Sequence, residues 1–194
     1  MSRHTNRGQI FLTEGKYDVL RCKGEVRVDS NVSAASVNIK GSLITDNDIT
    51  ADEEFDFKGR ISAGNIKASD VKILTDHDGK AGTITGGSVN IRCGIDPAMK
   101  EEFANIVGSI LRLLHVDDTE IRNAAEKAES EKKEDSVFLC DEISGDDIEL
   151  YGVTCRRVSG RNIDLKGNCR IDRVTYSGNF TADDSCVVGK AEKA

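Results

Sequence analysis

"VNIKGSLITDNDITADEEFDFKGRISAGNIKASDVKI", residues Val37 to Ile73, carries one pattern twice and opens it a third time. Val37, Ile39, Gly41, Leu43, Ile49 and Ala51 fall over Phe55, Phe57, Gly59, Ile61, Ile66 and Ala68, with an offset of 18 residues at Val37 and 17 at Ile49. The unit is apolar-x-apolar-x-Gly-x-apolar, a short polar loop, then apolar-x-small. Strict alternation over such short runs is the signature of a strand with one buried face. The insertions "TDND" and "SAG" are turn chemistry.

The pattern extends in both directions. Upstream, Leu20, Cys22, Gly24, Val26, Val32 and Ala34 occupy the same columns; downstream, Val71 and Ile73, then Val89 and Ile91, open further copies. In the C-terminal third, Ile148, Leu150 and Gly152 return as Ile163, Leu165 and Gly167, and Ile143 and Gly145 as Val158 and Gly160. Cys169 and Ile171 return as Cys186 and Val188. One such unit is too small to bury its own apolar face, so copies must stack as coils stabilised by their nearest neighbours. Coils of about 15 to 18 residues predict a mainly β fold, a triangular β-helix with three short sides per turn. The expected division is an N-terminal tail over 1–14, a first solenoid segment over 15–95, a helical insertion and linker over 96–136, and a second solenoid segment over 137–194.

The insertion follows different physics. Phe103, Ile106, Val107, Ile110, Leu111 and Leu114 recur at helical spacing, after Asp96 as N-cap and Pro97 at the first helical position. A helix with such a stripe has to bury it, which makes these six residues the candidates for capping the solenoid or for self-association. From Asp118 a shorter polar helix is expected to run into the linker "EKAESEKKEDS".

Composition agrees with a narrow coil. There are 18 glycines against one proline, no tryptophan, three tyrosines and six phenylalanines. A core so poor in aromatic bulk is filled by Val, Ile, Leu and Ala. Charged residues are 31% of the chain and the net charge is −7, which lacks the electrostatic footprint of a nucleic-acid binder. No apolar run reaches the roughly 20 residues of a membrane span, and the N-terminal stretch lacks the apolar middle of an export signal. A cytoplasmic protein is expected, with membrane association disfavoured because the helix has no strongly basic face.

Candidate chemistry is sparse. His4, His77 and His115 lie in three different segments, so no catalytic histidine is assigned. "TDHDGKAGT" around His77 carries Asp76 and Asp78 without the spacing of a calcium loop, and is read as a solvated corner. The glycines of "GGSVNI" lack the lysine of a phosphate loop and are read as corner residues. No cofactor or metal is expected. The six cysteines include no CxxC pair and are read as reduced thiols. Cys22, Cys169 and Cys186 occupy core columns, whereas Cys155 precedes Arg156 and Arg157, whose charge would lower a thiol pKa.

The columns "VNIKGSL" and "FDFKGRI", and the C-terminal "NIDLKGNCRIDRVTYSGNFTADDSCVVGKAEK", resemble bacterial bactofilins, polymer-forming cytoskeletal proteins; the opening "GKYDVLRCKGEVRV" looks like a first coil of the same family. The resemblance covers residues 15 to 92 and 137 to 192. It implies a right-handed β-helix without cofactor, assembling end to end into nonpolar filaments and scaffolding other proteins. A helical insertion and a single proline depart from that family's uninterrupted solenoid between proline-rich tails. Two further readings stand beside the scaffold. One is a regulatory module that docks a protein partner on a flat face, like the β-helical domain of septum-site inhibitors. The other is a hexapeptide-repeat acyltransferase, against which the six-residue phase is broken here.

Overall fold

The computed structural model describes residues 3–12, 15–94 and 136–194, and every regular element in them is a β-strand. The strands are β1 (Arg3–Leu12), β2 (Gly15–Val28), β3 (Val32–Ile44), β4 (Ile49–Ser62), β5 (Ile66–Lys67), β6 (Asp70–Thr75), β7 (Gly79–Thr85) and β8 (Ser88–Cys93), followed by β9 (Phe138–Tyr151), β10 (Val153–Lys166), β11 (Arg170–Tyr176), β12 (Phe180–Ala182) and β13 (Val187–Lys193). They form one all-parallel sheet wound as a β-solenoid of about 8 turns.

The pairing register is the one the repeat predicts. Val37 pairs with Phe55, Ile39 with Phe57 and Gly41 with Gly59; Phe55 pairs with Val71 and Ile148 with Ile163. Each coil turns in up to three short inward-facing runs. In one coil these are Phe55 with Phe57, Ile61 with Ala63 and Ile66 with Ala68, all buried. A coil can be this thin because every backbone group along a run bonds to the coil above or below. Where a column takes a larger side chain, a neighbour gives way: a Cβ on Gly79 would lie 2.8 Å from Phe138 Cδ2, so the phenylalanine fills the space that the glycine leaves.

Residues 1–14, expected as a tail, contain β1, which pairs with β2 from Arg3 opposite Val19 to Leu12 opposite Val28. Ile10 and Leu12 continue the inward columns and Gly8 stands in register with Gly24. Among the described side chains of this strand only two apolar residues are buried, too few to register as a repeat before the pairing is known.

The two solenoid segments stack on each other without a break. β9 pairs with β7 and with β8, Ile84 opposite Ile143 and Val89 opposite Ile148. Val89 and Ile148 are 59 positions apart, and taking out the 41 residues of 95–135 leaves 18, the offset of Val37 and Phe55. The cut ends meet. Gly94 N–H donates to the Thr75 carbonyl at 2.9 Å, Ser136 Oγ donates to the Asp76 carbonyl at 2.9 Å, and Val137 N–H donates to Asp78 Oδ1 at 3.0 Å. Gly94 therefore stands over Asp76 and Ser136 over His77, in successive places along one corner. Joining Gly94 directly to Ser136 should give a protein with the same β-type circular dichroism and a cooperative melt at or slightly above that of the full chain, since a shorter loop costs less closure entropy. Loss of the β-signal would show that the two segments need 95–135 to find their register. The expected helix, its linker and the six stripe residues Phe103, Ile106, Val107, Ile110, Leu111 and Leu114 lie outside the described residues.

Candidate interaction surfaces

In-register stacking turns each outward position into a ladder along the solenoid. One such ladder runs Phe11, Arg27, Ile44, Ser62, Lys80, Leu139, Thr154, Arg170, Val187. Phe11 is 64% exposed, Ile44 46%, Leu139 52% and Val187 61%. In a chain of net charge −7 this column holds no carboxylate. Large exposed apolar residues scattered singly mean little, but aligned on one face they mark a surface that can be covered. A second ladder is basic, among the described side chains, over the consecutive rungs Lys23, Lys40 and Lys58. Sequence reading missed both, because residues 15 to 59 apart in the chain become neighbours only once the coil exists.

An open groove of about 340 Å³ is lined in part by Asn90, Asp147, Glu149, Asn162, Asp164 and Thr181. Its side chains satisfy one another from coil to coil. Asn90 Nδ2 donates to Glu149 at 2.7 Å, Asn162 Nδ2 to Asp147 at 2.6 Å, and Thr181 Oγ1 to Asp164 at 2.7 Å. Polar groups partnered in this way describe a structural ladder.

The ends differ from the middle. Among the described residues β1 pairs with β2 alone and β13 with β11 alone, so each leaves one row of backbone groups without a neighbouring strand. On the last coil Tyr176, Phe180, Cys186 and Val188 are only partly buried, and the rings of Tyr176 and Phe180 pack with centroids 5.3 Å apart. A carboxylate corner fixes this coil. Asp183 accepts from Ser185 Oγ at 2.6 Å and from Gly167 N–H, one coil earlier, at 2.9 Å. The Ser185 hydroxyl, then the Gly167 amide, hold the Asp183 carboxyl down at about 2, from an ordinary value of 3.8. A depressed carboxyl stabilises the folded state above its unfolded pKa and loses that contribution as pH falls through the folded one. The protection factors of the Gly167 and Ser185 amides, taken relative to the intrinsic exchange rate at each pH, should therefore fall between about pH 4 and pH 2, while amides around Phe57 stay protected. Equal loss of protection at both places would mean that the corner is not the group that titrates.

The candidate chemical residues sort themselves by face. Cys22, Cys93, Cys140, Cys155 and Cys169 are buried free thiols, and Cys186 is half-buried. Cys22 and Cys169 serve as small core residues, as expected. The expectation for Cys155 changes. Arg156 and Arg157 are both exposed and face Asp141 and Glu142, so their charge is taken up away from the buried thiol. His77 sits at the corner that "TDHDGKAGT" predicts, its backbone N–H and C=O bonded to Thr75 Oγ1. Among the described residues no three His, Cys, Asp or Glu side chains are grouped to hold a metal, and no helix is long and apolar enough to cross a membrane. Comparison with protein-family models, curated proteins and solved structures returns no match.

Proposed function

We propose that the protein is a non-enzymatic cytoplasmic scaffold of bactofilin-like type, a right-handed solenoid that self-associates through its β-helix ends and recruits protein partners. The observation that carries this reading is the C-terminal coil. Its inward columns end on the half-covered Phe180, Cys186 and Val188, and β13 has one edge without a neighbouring strand. A second chain that docks there adds a coil of the same backbone geometry, gaining hydrogen bonds and apolar burial together. The wild-type protein should sediment above its 21.1 kDa monomer mass at micromolar concentration. Val188→Lys and Phe180→Lys should sediment as monomers with an unchanged β-spectrum, since both positions lie on the outermost coil. A wild-type monomer at high micromolar concentration in both low and moderate salt would end this reading.

The regulatory module is the second reading, and the Phe11 to Val187 ladder favours it. A flat face with exposed apolar residues and cations, and no carboxylate in its central column, fits a protein partner whose contact surface is apolar and acidic. The ladder is poorly suited to its own copy. In an antiparallel pairing Arg27 meets Arg170 and Lys80 meets Lys80, and in a parallel pairing each cation meets itself.

A further inference from the structure

The basic ladder changes character along its length. In the later coils its cations find carboxylates: Arg92 bonds to Glu149 at 2.9 Å, and Lys166 stands 3.8 Å from the same residue. The earlier rungs Lys23, Lys40 and Lys58 are exposed, and among the described residues none of them is ion-paired. In the same three coils the columns on either side add Arg21 and Arg60, and the two carboxylates of those columns are engaged. Asp56 accepts from Asn38 at 2.8 Å, and Glu25 accepts from Arg27 at 2.9 Å and from Gln9 at 3.1 Å. Like charges directly opposite one another across strands destabilise a sheet. Lysines on an edge strand serve to block further pairing, but β2, β3 and β4 each have a neighbouring strand on both sides. Such a conflict, kept inside the stack and left uncompensated by the chain, marks a surface whose counter-charge comes from outside.

We propose that the column Lys23, Lys40 and Lys58 is the docking line for an acidic α-helical segment of a protein partner. That the partner is a protein rests on the scaffold reading, and the column gives its recruitment a face. Spacing selects a helix. Stacked rungs repeat about every 4.8 Å, so three of them span about 9.6 Å. Carboxylates at i, i+4 and i+7 share one helix face and span about 10.5 Å at 1.5 Å per residue. Flexible lysine stems take up a difference of about 1 Å. In an extended segment the side chains of one face repeat about every 6.8 Å, and the third carboxylate falls about 4 Å beyond its lysine. Charge selects a short partner. A long polyanion or an anionic membrane plane meets the whole chain, of net charge −7. A short helix meets only the local surplus of cations, because exposed charges beyond about 8 Å are screened at physiological salt.

The test uses the full chain and two fluorescent alanine-rich helical peptides of equal composition, one with glutamates at i, i+4 and i+7, the other with its glutamates spread around the helix. Anisotropy titrations at low salt should show the one-faced peptide binding several-fold more tightly, and its affinity should fall as salt rises. Lys40→Gln, at the middle rung, should weaken that binding several-fold, and the triple variant Lys23→Gln, Lys40→Gln and Lys58→Gln should abolish it. The corresponding triple arginine variant should retain it, and Leu139→Ser, on the apolar ladder, should leave it unchanged. All of these positions are exposed, so every variant should keep the β-spectrum and the sedimentation of the wild type. Sedimentation thus separates a failure of this docking line from a failure of self-association. No preference for the one-faced peptide, or undiminished binding in the triple glutamine variant, overturns the proposal. So does polyphosphate that binds as tightly as the one-faced peptide, or phosphatidylglycerol vesicles that pellet the wild type and not the triple glutamine variant.

Discussion

Phe57→Asp should unfold the solenoid around its fourth coil, removing the cooperative melt and the β-signal at 37 °C. Phe57 is fully buried, packed beside Phe55 with ring centroids 6.5 Å apart. Truncating a buried phenylalanine alone costs about 3–5 kcal/mol, and an unpaired carboxylate in so narrow a core adds the penalty of a charge without partner or water. Against a net stability of roughly 5–15 kcal/mol for a domain, that is decisive. Ile39→Asp and Leu165→Asp, also buried at 1% and 0% exposure, should behave alike. Asp56→Ala is the control. Asp56 is the outward neighbour, accepting from Asn38 Nδ2 at 2.8 Å, and losing that surface contact should cost about 1 kcal/mol or less. Soluble, cooperatively melting Phe57→Asp protein would show that the inward and outward faces are reversed.

Gly59→Ala should be nearly as damaging, although it adds a single methyl group. Gly59 has φ +131°, a backbone conformation that residues with a Cβ rarely adopt, and its Cβ would overlap the Gly41 carbonyl oxygen of the preceding coil. That oxygen belongs to the stacked backbone, so relief requires shifting a whole coil. The expected cost is more than about 3 kcal/mol, in the range that marks backbone clashes as distinct from surface changes. Gly8→Ala separates the two causes. Gly8 also has positive φ, at +105°, but nothing lies within 4 Å of its would-be Cβ, so only the strain of roughly 1–2 kcal/mol remains. Thermal melts of both variants should differ accordingly, and equal losses would locate the effect in backbone strain alone.

Legibility followed the chain's own periodicity. Wherever a coil repeated two or more apolar columns, as at Val37 with Ile39 or Ile163 with Leu165, the register could be written down from the offset and the pairing agrees. β1 went unread because Ile10 and Leu12 are its only buried apolar residues among the described side chains. The stacking of Cys140 on Cys155 had a signal that was available: the offset of 15 that aligns Ile148 with Ile163 also aligns these two cysteines. The reactivity expected of Cys155 had been tied instead to its sequence neighbours, and in a strand the next residue points to the opposite face.

By itself the sequence determined the parallel stacking, the inward columns and the glycine corners, because each depends on a pattern repeated within one or two coils. Only the tertiary structure decided that the segments on either side of 95–135 form a continuous stack, that Phe11, Ile44, Leu139 and Val187 share one exposed ladder, and that Cys140 and Cys155 stand in register on adjacent coils. Those relations join residues whose separation varies from 15 to 59, as coils of unequal length and an insertion shift the offset. A fixed period cannot carry such pairings; they are set by which backbone groups finally hydrogen-bond across the coils.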